Sequence, residues 1–188
     1  MHKLVVLTVI VLSISGGFAK VDKRTCTPAD IAMKEGSVVT KNYLSDEEIR
    51  SLSKNLVDKI DFSTVKGIVA ITRGGLAPTL LISQYASVKD IRTLGVSSYG
   101  DDCKRGELTI ITDPHLDNEG DGFLFIDDLV DSGETLRKIR AMYPKAKFAV
   151  LYAKPAGESV ADFYVKKVPQ GEWLVFPWEP DWIAPKNN

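Results

Sequence analysis

The stretch that most constrains this chain runs from Phe123 to Thr135 and reads FLFIDDLVDSGET. Phe123 to Ile126 is an apolar run of the length of a buried strand. Two adjacent carboxylates, Asp127 and Asp128, end that run, and a third, Asp131, follows Leu129 and Val130. Ser132-Gly133-Glu134-Thr135 then opens a segment with Leu136, Ile139, Arg140 and Tyr143 at helical spacing, stopped by Pro144. A strand, an acidic pair, a small-residue loop and a helix start together suit a phosphorylated sugar. The helix N-terminus offers free N–H groups to a phosphate, and glycine lets the backbone come close. The carboxylates make sense facing hydroxyls and a divalent cation.

A second strand-to-helix loop precedes it. Gly67 to Thr72 reads as a buried parallel strand. Arg73-Gly74-Gly75-Leu76-Ala77-Pro78 follows, a glycine loop with an arginine that can cradle a diphosphate through backbone N–H groups and one cation. The helix after it is expected to reach Ala86 and to bury Leu80, Leu81 and Tyr85. Upstream, Val38 to Leu44 suits a short edge strand. Ser45-Asp46-Glu47-Glu48 is a capping box, and Ile49, Leu52, Leu56 and Ile60 mark one helix face. Downstream, Ile91 to Ser98, Glu107 to Thr112, Lys147 to Tyr152 and Phe163 to Val168 have strand character. Lys154 sits at a strand terminus in a proline turn. The tail from Pro169 to Trp178 is dense in aromatic residues and suits a hood over a flat ligand.

Alternating strands and helices imply an α/β domain with a mostly parallel sheet, whose ligands bind beyond the C-terminal strand ends. Thr72 to Gly75, Ser97 to Tyr99, Asp127 to Thr135 and Lys154 all fall at such ends. With 188 residues, 44% hydrophobic and net charge −1, the chain suits one globular domain and not a nucleic-acid binder working by counterion release. Cys26 and Cys103 lack metal or redox spacing, and His2 and His115 do not make a zinc site.

The N-terminus stands apart. Met1-His2-Lys3, the apolar run Leu4 to Ile14 and Gly17-Phe18-Ala19 meet the rule for a signal peptide cut after Ala19. An export or anchoring signal, a hydrophobic tail, and a reading frame that begins at Met33 are the three readings. Residues 1–19 are set apart as this segment, 20–36 as a linker and 37–183 as the folded domain.

The motif at 123–135, with the glycine loop, Lys154 and the aromatic tail in the same order, resembles the type I phosphoribosyltransferases. Within that family it is similar to the bacterial xanthine-guanine enzymes. The resemblance implies that family's α/β fold, with helices flanking the sheet, a flexible lid and a C-terminal hood. It implies transfer of 5-phosphoribosyl from phosphoribosyl pyrophosphate (PRPP) to the N9 nitrogen of guanine or xanthine, and less well of hypoxanthine, with Mg2+. Arg73, Gly74, Arg105, Asp127, Asp128, Leu129, Val130, Asp131, Ser132, Gly133, Glu134 and Thr135 are the expected PRPP and phosphate contacts. The peptide before the glycines is often cis in the family. Asp128 is the metal-side ligand, and Asp127 binds a ribose hydroxyl.

Asp131 is the general base at purine N7. Lys154 donates to the purine O6, Trp173 stacks on the ring, and the backbone of Leu174 meets its 2-position edge; Trp178 is assigned to packing. Lys104 is the alternative to Arg105 as the lid cation. Glu134 departs from the closest relatives, which carry glycine there. The resemblance also implies a homodimer or homotetramer and a cytoplasmic location, with inner-membrane contact through residues 1–19 as the competing placement. A non-catalytic nucleotide-binding regulator of the same fold is the alternative function.

Overall fold

Three apolar runs become strands buried on both faces, and their alternation builds two cores. The computed structural model describes residues 41–98 and 108–180. Among them, six strands form one sheet in the order β4-β3-β2-β5-β6-β7. These are β2 (Gly67–Thr72), β3 (Ile91–Ser98), β4 (Leu108–Thr112), β5 (Phe123–Val130), β6 (Lys147–Ala153) and β7 (Phe163–Lys167). All neighbours pair in parallel except β3 and β4. Ile68, Leu124, Ile126, Ala149 and Leu151 face one core. Val69, Ile71, Phe125, Phe148 and Val150 face the other. This is the period-two alternation of a strand covered on both sides.

Helix α1 (Asp46–Val57) and helix α2 (Leu76–Ala86) pack together on the first face. Helix α3 (Glu134–Met142) seals the second with Leu136 and Ile139, and ends two residues before Pro144. Ser45 caps α1 by accepting from Glu48 N at 3.1 Å. The Glu48 carboxylate instead accepts from Tyr152 Oη at 2.9 Å and Lys166 Nζ at 2.8 Å, so it ties α1 to β6 and β7.

Three expectations change. Strand β1 (Lys41–Tyr43) pairs in parallel with β8 (Trp173–Val175) in a separate two-stranded sheet, so it is not an edge of the main one. On α2 the buried residues are Pro78, Thr79, Ile82 and Ser83, while Leu80 is 58% and Tyr85 43% exposed. The hydroxyl of Ser83 bonds Leu80 O at 2.7 Å and that of Ser53 on α1 bonds Ile49 O at 2.8 Å. These two serine hydroxyls are satisfied inside their own helices, while Thr79 Oγ1 is buried with no hydrogen-bond partner among the described residues, so this face is set by small size and not by apolar character.

The third change concerns the acidic pair, which does not end its strand. β5 continues to Val130, and its pairing with β6 keeps one register through the pair. Asp127 pairs with Val150 and Leu129 with Tyr152, and the adjacent residues Leu151 and Tyr152 share one core. No helix among the described residues is long and apolar enough to cross a membrane. Residues 1–40, which include the expected signal segment and linker, lie outside the described residues.

Candidate active site at the C-terminal strand ends

Because β2, β5 and β6 run parallel, the loops that follow them emerge at the same end of the sheet. The first is Arg73-Gly74-Gly75. The Thr72–Arg73 peptide is cis, as the resemblance implies, and Arg73 is exposed. Gly75 N donates to Ile71 O at 2.8 Å, which turns the chain back into α2. A Cβ on Gly75 would lie 2.1 Å from Ile126 O, and one on Gly74 would lie 2.5 Å from Oδ2 of Asp128. The glycine loop therefore presses its backbone onto the acidic end of β5.

Asp127 and Asp128 are half-buried. Burial pushes the Asp127 carboxyl well above its ordinary range, and the neighbouring Asp128 charge adds to this. Burial likewise pushes Asp128 up to about 6; the N–H of Leu129 counters it, and the negative charge of Glu179 reinforces it. Crowded carboxylates of this kind are relieved by a cation.

The second loop lines an open cavity of about 240 Å³, bounded by Asp127, Leu129 to Leu136, and Leu108. Gly133 takes φ +82°, a left-handed conformation that suits glycine, and no side chain caps α3. By helix geometry the first N–H groups of α3 have no acceptor within the helix. Ser132, Gly133, Glu134 and Thr135 thus form a loop whose backbone N–H groups suit an anion. Arg137 holds it from below, donating from Nη1 to Ser132 O at 2.9 Å and from Nη2 to Ala156 O at 3.4 Å. The third loop also supports it, since a Cβ on Gly157 would lie 2.5 Å from Asp131 O.

The third loop brings Lys154 to Asp131. The lysine is buried, with its side chain 5% exposed, and Nζ lies 3.5 Å from Asp131 Oδ2. The other carboxylate oxygen, Oδ1, accepts from Gln170 Nε2 at 2.6 Å. Gln170 belongs to the turn that leads into β8, where Trp173 is half-buried and the Leu174 side chain buried. Val175 O accepts from Leu44 N at 3.0 Å. Peptide groups alternate in direction along a strand, so the backbone N–H and C=O of Leu174 face away from β1. Trp178 stacks on Phe176 at 4.9 Å, the packing role expected of it.

The structure thus draws together Gly74, Asp127, Asp128, the 129–135 loop and Lys154, with Trp173 and Leu174 on the adjoining small sheet. Arg105, Lys104 and Tyr99 lie outside the described residues. Sequence reasoning missed Arg137, Gln170 and Glu179. Arg137 looks like a solvated helix cation, and Gln170 sits in a Pro-Gln-Gly turn that carries no motif.

The phosphoribosyl transferase domain model matches residues 38–184. Among solved structures, a purine phosphoribosyltransferase from Pyrococcus horikoshii is 27% identical, with TM-score 0.65 over 74% of this chain and 94% of that one. The xanthine-guanine-hypoxanthine phosphoribosyltransferase of Helicobacter pylori is 26% identical, with TM-score 0.63 over 75% and 95%. A hypoxanthine phosphoribosyltransferase from Trypanosoma cruzi, in complex with the product IMP, is 26% identical, with TM-score 0.54 over 65% and 77%. A strand order with parallel C-terminal loops, a loop at the start of α3 that suits an anion and a family match over most of the chain lead to one conclusion: this protein belongs to the phosphoribosyl transferase domain family.

Proposed function

We propose that the protein transfers 5-phosphoribosyl from PRPP to N9 of a 6-oxopurine, guanine or xanthine before hypoxanthine, releasing pyrophosphate in purine salvage. The observation that carries this reading is the pairing of buried Lys154 with Asp131 at 3.5 Å. A 6-oxopurine carries the O6 acceptor beside N7, and these two atoms complement an ammonium and a carboxylate held side by side. Adenine offers an amino donor at that position, which would face another donor. The names of the Pyrococcus and Helicobacter relatives agree with a purine as acceptor.

In this mechanism Ser132 to Thr135 hold the 5′-phosphate through backbone N–H groups and hydroxyls. Glu134 is exposed, and this reading requires its charge to point away from the phosphate. Arg73 and the N–H groups of the Gly74 loop hold the diphosphate. Asp127 accepts from a ribose hydroxyl. Asp131 takes the purine proton through N7, which makes N9 more nucleophilic. The C1′–N9 bond forms as the C1′–O bond to diphosphate breaks.

Asp128 would hold Mg2+, which prefers one or two carboxylates completed by water and substrate oxygens. The buried, crowded carboxyls fit that donor set, since a cation would relieve them. Bound there, the ion would neutralise charge on the leaving diphosphate. Trp173 would stack on the base, and the Leu174 backbone would meet its 2-position edge. A lid bearing Arg105 would exclude water.

A homodimer or homotetramer would cover the exposed Leu76 and Leu80 of α2. This activity places the protein in the cytoplasm, with peripheral contact of residues 1–19 at the inner membrane as the other placement. Cell fractionation, with the mature N-terminus read by mass spectrometry, separates the two.

The test supplies the purified protein with PRPP and Mg2+ and follows nucleotide formation from guanine, xanthine, hypoxanthine and adenine. Magnesium-dependent turnover of the 6-oxopurines and none of adenine is expected. A folded protein that binds nucleotide yet turns over none of them would be the regulator instead.

A further inference from the structure

Gln170 has no task in the mechanism above, yet both ends of its amide are engaged beside the reacting base. Ala156 N donates to Oε1 at 3.0 Å, and Nε2 donates to Asp131 Oδ1 at 2.6 Å. A backbone N–H can only donate, so Oε1 must face Ala156 and Nε2 must face the carboxylate. On the opposite oxygen, Lys154 Nζ stands off at 3.5 Å, longer than the usual 2.7–2.9 Å of a charge-assisted hydrogen bond. An unopposed ammonium and carboxylate would close to that shorter distance. Here the short contact belongs to the neutral amide, which pulls Asp131 away from the lysine.

We propose that Gln170 is a positioning residue for Asp131. It holds the carboxylate apart from Lys154 so that O6 and N7 of a 6-oxopurine can meet the two groups separately. It also ties them to the turn entering the hood strand β8. The proposal rests on the reading of Asp131 as the base at purine N7. Without Gln170, Asp131 turns onto Lys154, and the incoming purine must break that ion pair before it can be deprotonated.

Steady-state kinetics of Gln170→Ala and Gln170→Glu with guanine, PRPP and Mg2+ test it. Gln170→Ala is expected to lower kcat about tenfold while KM for PRPP changes by less than about twofold. Gln170→Glu keeps the acceptor for Ala156 N. Protonated, its side chain donates to Asp131 as the amide does; ionised, it repels Asp131. Charged groups at the contact include, among the described residues, Asp131, Lys154, and Arg137, which bonds Ala156 O from α3. The kcat of this variant relative to wild type should therefore fall as pH rises through the glutamate range, from about pH 4 to about pH 6.

A residue that only braces the fold would shift the melting temperature and leave that ratio flat. An active wild type with Gln170→Ala at wild-type kcat, or with a flat Gln170→Glu ratio, overturns the proposal alone. A wild type inactive on every 6-oxopurine overturns the functional reading, and this one with it.

Discussion

Gly74 and Asp128 are in contact such that a methyl group on the glycine would lie 2.5 Å from Oδ2 of the carboxylate. The fold leaves no room for a side chain between the diphosphate loop and the acidic end of β5. The obstructing atoms are the end of a side chain and can swing aside. Gly74→Ala is therefore expected to fold, with a melting temperature within about 3 °C of wild type. The displaced Asp128 should raise the Mg2+ concentration needed for half-maximal rate by about tenfold or more. A magnesium titration of initial rate, beside a thermal melt, reads both effects.

Asp131→Asn keeps the shape of the carboxylate and removes its ability to take a proton. Turnover should fall by about 100- to 10,000-fold, the usual contribution of a general base. Binding of PRPP, which rests on the 132–135 loop, should change little. Single-turnover kinetics beside PRPP binding by calorimetry separate the two, and retained turnover would remove Asp131 from the role.

The Asp128 carboxyl, ordinarily near 3.8, is raised to about 6 chiefly by burial. Between those values the folded protein holds a proton that the unfolded chain has released, so this group's contribution to stability falls as pH rises through that window. In metal-free buffer Asp128→Asn should melt with the wild type near about pH 4 and a few degrees above it near about pH 7.5. Mg2+ with PRPP should then stabilise the wild type and not the variant. Thermal melts at the two pH values, with and without chelator, give the comparison.

Tyr152 is buried, and its hydroxyl donates to Glu48 on α1 at 2.9 Å. Tyr152→Phe should cost about 1–2 kcal/mol of stability, since Glu48 loses one of its donors in a partly buried place. Turnover per folded molecule should be unchanged. Urea unfolding and a rate normalised to active-site concentration check the two halves.

The strands were legible in the sequence because a strand covered on both faces must be apolar along its length. Gly67 to Thr72, buried along nearly its whole length, has in the structure the bounds read from the sequence. The site loops were legible for a related reason: a loop that approaches phosphate needs glycine and N–H groups in sequence order, and both glycine loops are contiguous. Lys154 was legible only through family resemblance, because an isolated lysine after a strand reads as solvent-exposed. The burial of α2 misled, since Thr79 and Ser83 satisfy the demand of a close helix contact for small volume, which hydropathy does not measure.

The sequence by itself determined the α/β class, the two glycine loops and the acidic pair, because each depends on residues adjacent in the chain. The tertiary structure decided which distant residues meet those loops. Gln170 reaches Asp131 across 39 positions, Glu179 adds its charge to Asp128, and β1 leaves the main sheet to pair with β8. Such contacts follow from where the sheet and the tail carry the chain, and nothing in the local order of residues specifies them.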